Sequence, residues 1–81
     1  MNTDEAREII FRALGEVAPE IDPTEVAHGV DLTEQLDLDS MDYLNWMLEI
    51  NLATGIEIPE RDYSQFMTID AAASYLVNPG G

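Results

Sequence analysis

Residues 40–53 leave almost no polar side when placed on a helix. At about 100° per residue, Tyr43, Trp46, Met47, Ile50 and Thr54 share one face. Met41, Leu44, Leu48 and Leu52 share the adjacent one. Only a narrow strip of Asp42, Asn45, Glu49 and Ala53 is polar or small. A helix this apolar is either wholly buried or keeps its second stripe for another surface. A chain of 81 residues can hardly surround it, because small domains bury a modest fraction of their surface. One stripe should therefore pack in a core and the other stay at least partly open.

The rest of the chain reads as partners for that helix. Thr3 is a plausible N-cap, with Asp4 and Glu5 in the first turn, where anions suit the helix dipole. Ala6, Ile10, Ala13, Leu14 and Val17 recur at helical spacing, so a helix is expected over 3–17, ended by Pro19. Residues 18–38 form a long connection without a strong period. Within it, Asp22-Pro23-Thr24-Glu25 reads as a cap, a first-turn proline and a reciprocal glutamate. A single helical turn is expected over 23–28, with Gly29 as its stop. Val30, Leu32, Leu36 and Leu38 should anchor the loop on the core. Gly55 ends the central helix. Ile56 to Pro59 reads as an extended connection, followed by a short helix over 60–65. Phe66 then returns to the core. Thr68 caps a last helix over 69–77, buried through Ile69, Ala72, Ala73, Tyr75 and Leu76. Residues 78–81 read as a mobile tail. The expected fold is all-α: one domain over 1–81, three main helices plus one short helix, and a long loop after the first. No alternating run supports a sheet.

Charge and composition narrow the function. Seventeen acids against Arg7, Arg12 and Arg61 give a net charge of −14. Such a field repels nucleic acid and anionic membranes and attracts basic partner surfaces. There is no cysteine, hence no disulfide framework and no thiolate metal site. No apolar run approaches the ~20 residues of a membrane span. The acidic N-terminus is unlike a targeting segment. A monomer in the cytoplasm is expected. Asp37-x-Asp39 could open a calcium loop, but that pattern wants an oxygen ligand, glycine and glutamate where this chain has Met41, Asp42 and Leu48. No metal site is expected, and the lone His28 reads as a surface or capping residue.

The chemistry concentrates where the loop becomes the central helix. Asp39 is a strong N-cap and Ser40 stands on the first turn. A helix N-terminus carries partial positive charge and free N–H groups, so a phosphate on Ser40 would be favoured there. With His28 alone and no lysine, a nucleophilic relay is not supported. Ser40 reads as a modified residue.

Asp39-Ser40-Met41 resembles the Asp-Ser-Leu signature of acyl carrier proteins. Gly55-Ile56-Glu57-Ile58-Pro59 stands at the matching distance, and Thr68 to Leu76 resembles the family's last helix. The resemblance covers roughly residues 3–77. It implies 4′-phosphopantetheine on Ser40, installed from coenzyme A by a holo-carrier synthase (a phosphopantetheinyl transferase), with acyl groups carried as thioesters and no enzymatic turnover. It implies a partner-docking patch of Met41, Asp42, Leu44, Leu48 and Glu57. It further implies an acyl cavity lined by Trp46, Met47, Ile50, Ile58, Phe66, Ile69, Ala72 and Tyr75. Loading ligases and synthases or transferases with basic surfaces would be the partners, in fatty-acid, polyketide or specialised lipid biosynthesis. Asn45, Asn51 and Leu52 stand where the family often has acids, and Asp37 replaces a frequent glycine. These departures favour a specialised carrier, and the bulk of Trp46 should shorten or reshape the cavity. An aminoacyl or peptidyl carrier and an unmodified interaction subunit are the alternatives. A sulfur carrier working through the Gly80-Gly81 end would need a β-rich fold.

Overall fold

The computed structural model describes residues 1–79 and is all-helical over them. Four α-helices follow in chain order: α1 (Thr3–Val17), α2 (Leu32–Leu36), α3 (Ser40–Thr54) and α4 (Ile69–Val77). Two 3₁₀ segments, Pro23–Glu25 and Glu60–Phe66, lie in the connections. No strand occurs among the described residues, so the β-rich fold of a diglycine sulfur carrier is absent there; Gly80 and Gly81, the end of the expected mobile tail, lie outside them.

Each helix starts where a short polar side chain can satisfy free N–H groups. Asn2, not Thr3, caps α1: its side chain accepts from Glu5 N at 2.8 Å, and Glu5 reaches back to Asn2 N at 3.3 Å. Thr3 is already the first helical residue. Thr68 caps α4 by accepting from Ala71 N. Gly55 closes α3 at φ 74°, a left-handed position that glycine adopts without penalty.

The long connection is more ordered than its sequence period suggests. The expected turn over 23–28 is shorter, a 3₁₀ turn of Pro23–Glu25 capped by Asp22. A helix that the periodicity missed, α2, follows Asp31, whose carboxylate accepts from Thr33 N and Glu34 N. Leu32 at its start is fully buried, and Leu36 and Leu38 pack partly against the core. Val30, expected as an anchor, is instead exposed. Gln35 pins the loop by accepting from Ala27 N and donating to the carbonyls of Ala27 and Val30.

The core lies between α1, α3 and α4, with α1 packed on both others and α4 also meeting the Glu60–Phe66 segment. Ala6, Ile10 and Leu14 of α1 face Trp46 and Ile50 of α3 and Ala72 and Leu76 of α4. An aromatic row crosses the interior: Tyr43 to Trp46 at 5.9 Å, Trp46 to Phe66 at 6.1 Å, and Phe66 to Tyr75 at 4.8 Å between ring centres. These rings add to the aliphatic core of α1, α3 and α4 in burying apolar surface in so short a chain. The segment Glu60–Phe66 is 3₁₀ and extends through Phe66, one residue past the expected short helix.

Candidate carrier site at the start of α3

Asp39 precedes α3 in extended conformation (φ −86°, ψ 177°), and its carboxylate accepts from Asp42 N at 2.8 Å. That arrangement places Ser40 on the first turn, with its side chain exposed to solvent. The N–H groups of Ser40 and Met41 have no acceptor within the helix, as at any helix start. They and the dipole of a 15-residue helix favour a phosphate at Ser40. A surface depression of about 550 Å³ opens beside it, lined by Leu38, Ser40, Tyr43, Leu44 and Met67 among others. No hydrogen bond joins Ser40 to His28, whose ring lies tilted at 48° against Phe11 and whose carbonyl accepts from Asp70 N. Nothing in this arrangement activates Ser40 as a nucleophile. No group of three or more metal-ligating side chains gathers among the described residues.

The two stripes of α3 take different environments. Trp46, Met47 and Ile50 are buried. Met41 (68%), Leu44 (43%), Leu48 (53%) and Leu52 (69%) are exposed in a row that leads away from Ser40. Glu57 is exposed and Asp42 half-buried. Leu52 therefore extends the apolar row by one helical turn beyond the patch expected from sequence.

The residues expected to line an acyl cavity divide in two. Trp46, Ile50, Phe66, Ile69 and Ala72 have no exposed surface, and Tyr75 keeps 5%. They close on one another as core. Met47 keeps 3% of its surface, and the half-buried Ile58 borders an open groove of about 710 Å³ between α3 and the Glu60–Phe66 segment, where Met47, Leu44 and Leu48 also contribute to the lining. Asn51, Glu57, Arg61 and Tyr63 give that groove a polar half. Sequence reasoning missed Asn51, Arg61 and Tyr63. The available signal was Arg61 itself, one of three cations in an acidic chain.

Tyr43 joins the depression at Ser40 to the interior. Its hydroxyl donates to the Tyr63 carbonyl at 2.6 Å and lies 3.6 Å from the Met67 sulfur. Burial, with the charge of Asp31, pushes the Tyr43 phenol up to about 12. The Asp31 carboxyl lies below its ordinary value because the Thr33 hydroxyl donates to it.

Comparisons with known proteins give the family and the fold. A family model described as a phosphopantetheine attachment site matches residues 4–76. An acyl carrier protein of Rubrobacter xylanophilus is 30% identical over 74 residues, spanning 88% of this chain and 91% of that protein. One of Bdellovibrio bacteriovorus is 28% identical over 74 residues, spanning 91% of this chain and 88% of that protein. Among solved structures, the acyl carrier protein of Enterococcus faecalis superposes with a TM-score of 0.72, covering 95% of this chain and 96% of that one, at 23% identity. The last likeness speaks for the fold. The family's prosthetic group is 4′-phosphopantetheine, and its members carry cargo without catalysis of their own. A non-enzymatic carrier with that covalent arm, this chain belongs to the acyl carrier protein family.

Proposed function

We propose that Ser40 is the attachment residue and that the chain carries acyl groups for a specialised lipid or polyketide assembly system. The observation that carries this reading is the exposed Ser40 hydroxyl on the first turn of α3, behind an Asp39 cap. When bound, the arm supplies a terminal thiol on which acyl groups ride as thioesters. The chain's own residues supply the rest. Asp39 holds the first turn in register, so the Ser40 and Met41 N–H groups stay free for a phosphodiester. Met41, Leu44 and Leu48 offer an apolar row to the transferase and to later enzymes. Asp42 and Glu57, in a chain of net charge −14, steer basic partner surfaces onto that row. The tether then raises the effective concentration of cargo at each docked active site.

Intact-mass measurement after co-expression with a broad-specificity phosphopantetheinyl transferase tests the attachment. The wild-type chain gains the mass of one arm, and Ser40→Ala gains nothing. An unchanged wild-type mass, or a gain that survives Ser40→Ala, overturns the reading.

A further inference from the structure

The four methionines occupy four different environments. Met47 is buried in the core, with 3% of its surface exposed. Met67 is half-buried, and its sulfur lies 3.6 Å from the Tyr43 hydroxyl. Met1 is 49% exposed, ahead of α1 and outside any helix. Met41 is 68% exposed on the first turn of α3, directly after Ser40. It belongs neither to the core nor to the partly buried apolar residues packed against it. Other oxidisable groups are scarce or covered. The chain has no cysteine. Trp46, its only tryptophan, has no exposed surface, and His28 is half-buried. The net charge of −14 repels anionic oxidants but leaves neutral peroxides unhindered.

The place of Met41 gives its oxidation a consequence. After Ser40, the exposed residues of α3 are Met41, Leu44, Asn45, Leu48, Leu52 and Ala53. None carries a charge, although the chain holds 17 acids. Contact over this strip therefore rests on apolar area, and Met41 is its end beside the hydroxyl to be modified. A sulfoxide on Met41 sets a hydrated oxygen in the strip, which must lose water when a partner docks. The bundle itself is spared, because Met41 contributes nothing to the core. The form at issue is the chain before attachment, when no arm thiol competes for the oxidant.

Building on the carrier reading, we propose that Met41 is a reversible oxidation site that controls loading of the arm onto Ser40. The Met41 sulfur attacks one oxygen of hydrogen peroxide. The S–O bond forms as the O–O bond breaks, and the second oxygen leaves as water. Sulfur is oxidised and the peroxide is reduced. A methionine sulfoxide reductase supplies the return step, in which a dithiol becomes a disulfide and the oxygen leaves as water.

The unmodified chain, treated with hydrogen peroxide under native conditions, tests this. Peptide mapping by mass spectrometry locates the added oxygen. Met41 should gain it on the order of tenfold faster than Met47 or Met67, following exposure. Circular dichroism should not change. Once peroxide is removed, attachment by a broad-specificity phosphopantetheinyl transferase should be about fivefold slower, the scale of one poorly paired polar group in an interface. Treatment with sulfoxide reductase should restore the rate. Met41→Leu keeps the other three methionines and, measured against its own untreated rate, should not respond to peroxide. Oxygen entering Met47 or Met67 first overturns the proposal. So does an attachment rate that oxidation at Met41 leaves unchanged, or a loss in Met41→Leu as large as in the wild type. If the arm attaches to neither the treated nor the untreated chain, the carrier reading fails and this site fails with it.

Discussion

The indole N–H of Trp46 donates to the backbone carbonyl of Ile10, 3.1 Å away and buried, and so joins α3 directly to α1. Trp46→Phe removes that bond and leaves unfilled space in a close-packed interior. A loss of about 2 kcal/mol is expected. Urea unfolding of the two proteins, compared at equal m-value, measures it. A loss below a few tenths of a kcal/mol would show that the bond contributes nothing net.

Tyr43 makes the fold sensitive to alkali. Its phenol is raised from 10.0 to about 12, so folding favours the neutral form. The stability linked to this group is fully present below pH 10 and is lost as the pH climbs through about 12. Tyr75 shifts in the same direction, through burial and the Asp62 carboxylate. Tyr43→Phe should cost about 1 kcal/mol at neutral pH and flatten the alkaline decline. Thermal melts across that range, wild type against variant, read the change in slope.

At the acid end two effects oppose each other. Asp22 and Asp31 have carboxyls lowered from 3.8, chiefly by the hydroxyls of Thr24 and Thr33. The stability that these two groups contribute is present above pH 3.8 and is lost as the pH falls through their lower folded values. The net charge of −14 acts the other way, since partial protonation relieves self-repulsion. The Tm should therefore rise from pH 7 toward pH 5, then drop below about pH 4. At pH 7 it should also rise with salt, because roughly 1 M salt shortens the screening length to about 3 Å. A salt-induced fall in Tm would contradict the dominance of repulsion.

Asp37 is the one non-glycine residue with positive φ among the described residues, at 55°, just after α2. A side chain there carries the steric cost that glycine avoids. Asp37→Gly should therefore be neutral to stabilising by up to about 1 kcal/mol, and Asp37→Ala should be destabilising. Gly55→Ala, at φ 74° but with open space where the added Cβ would stand, should lose about 1 kcal/mol for conformational reasons alone. Chemical denaturation ranks all three.

Met41→Glu tests the docking row without touching the core or the groove, since Met41 is 68% exposed and lines neither. Stability should change little, while the rate of arm attachment to Ser40 should fall about tenfold, as for loss of one interface anchor. Circular dichroism and a timed mass assay separate the two effects.

Much of this molecule was legible because its long helices repeat apolar residues with a clear period. Ala6, Ile10 and Leu14, then Trp46, Met47 and Ile50, then Ile69, Ala72 and Leu76 all mark buried faces. The short pieces were not legible that way. In α2, five residues hold only Leu32 and Leu36 as apolar markers, so no period can be read. Its cap could have been: Asp31 followed by Glu34 resembles the Asn2–Glu5 pair that starts α1. Choosing Thr3 over Asn2 as a cap failed because both residue types suit the position, and only the return bond from Glu5 decides. The position of Ser40 was readable from a local signal, a cap before an apolar helix. Whether Ile58 borders an open groove while Phe66 and Ile69 are fully buried depends on how distant segments pack, which no local pattern encodes.

Leu44 lines both the depression at Ser40 and the groove between α3 and the Glu60–Phe66 segment, and it belongs to the exposed row proposed to meet partner enzymes. Under the proposed docking on that row, an enzyme seated over Leu44 would cover the mouths of both depressions at once, so one side chain would answer for contact with the partner and for access to the surface beside Ser40.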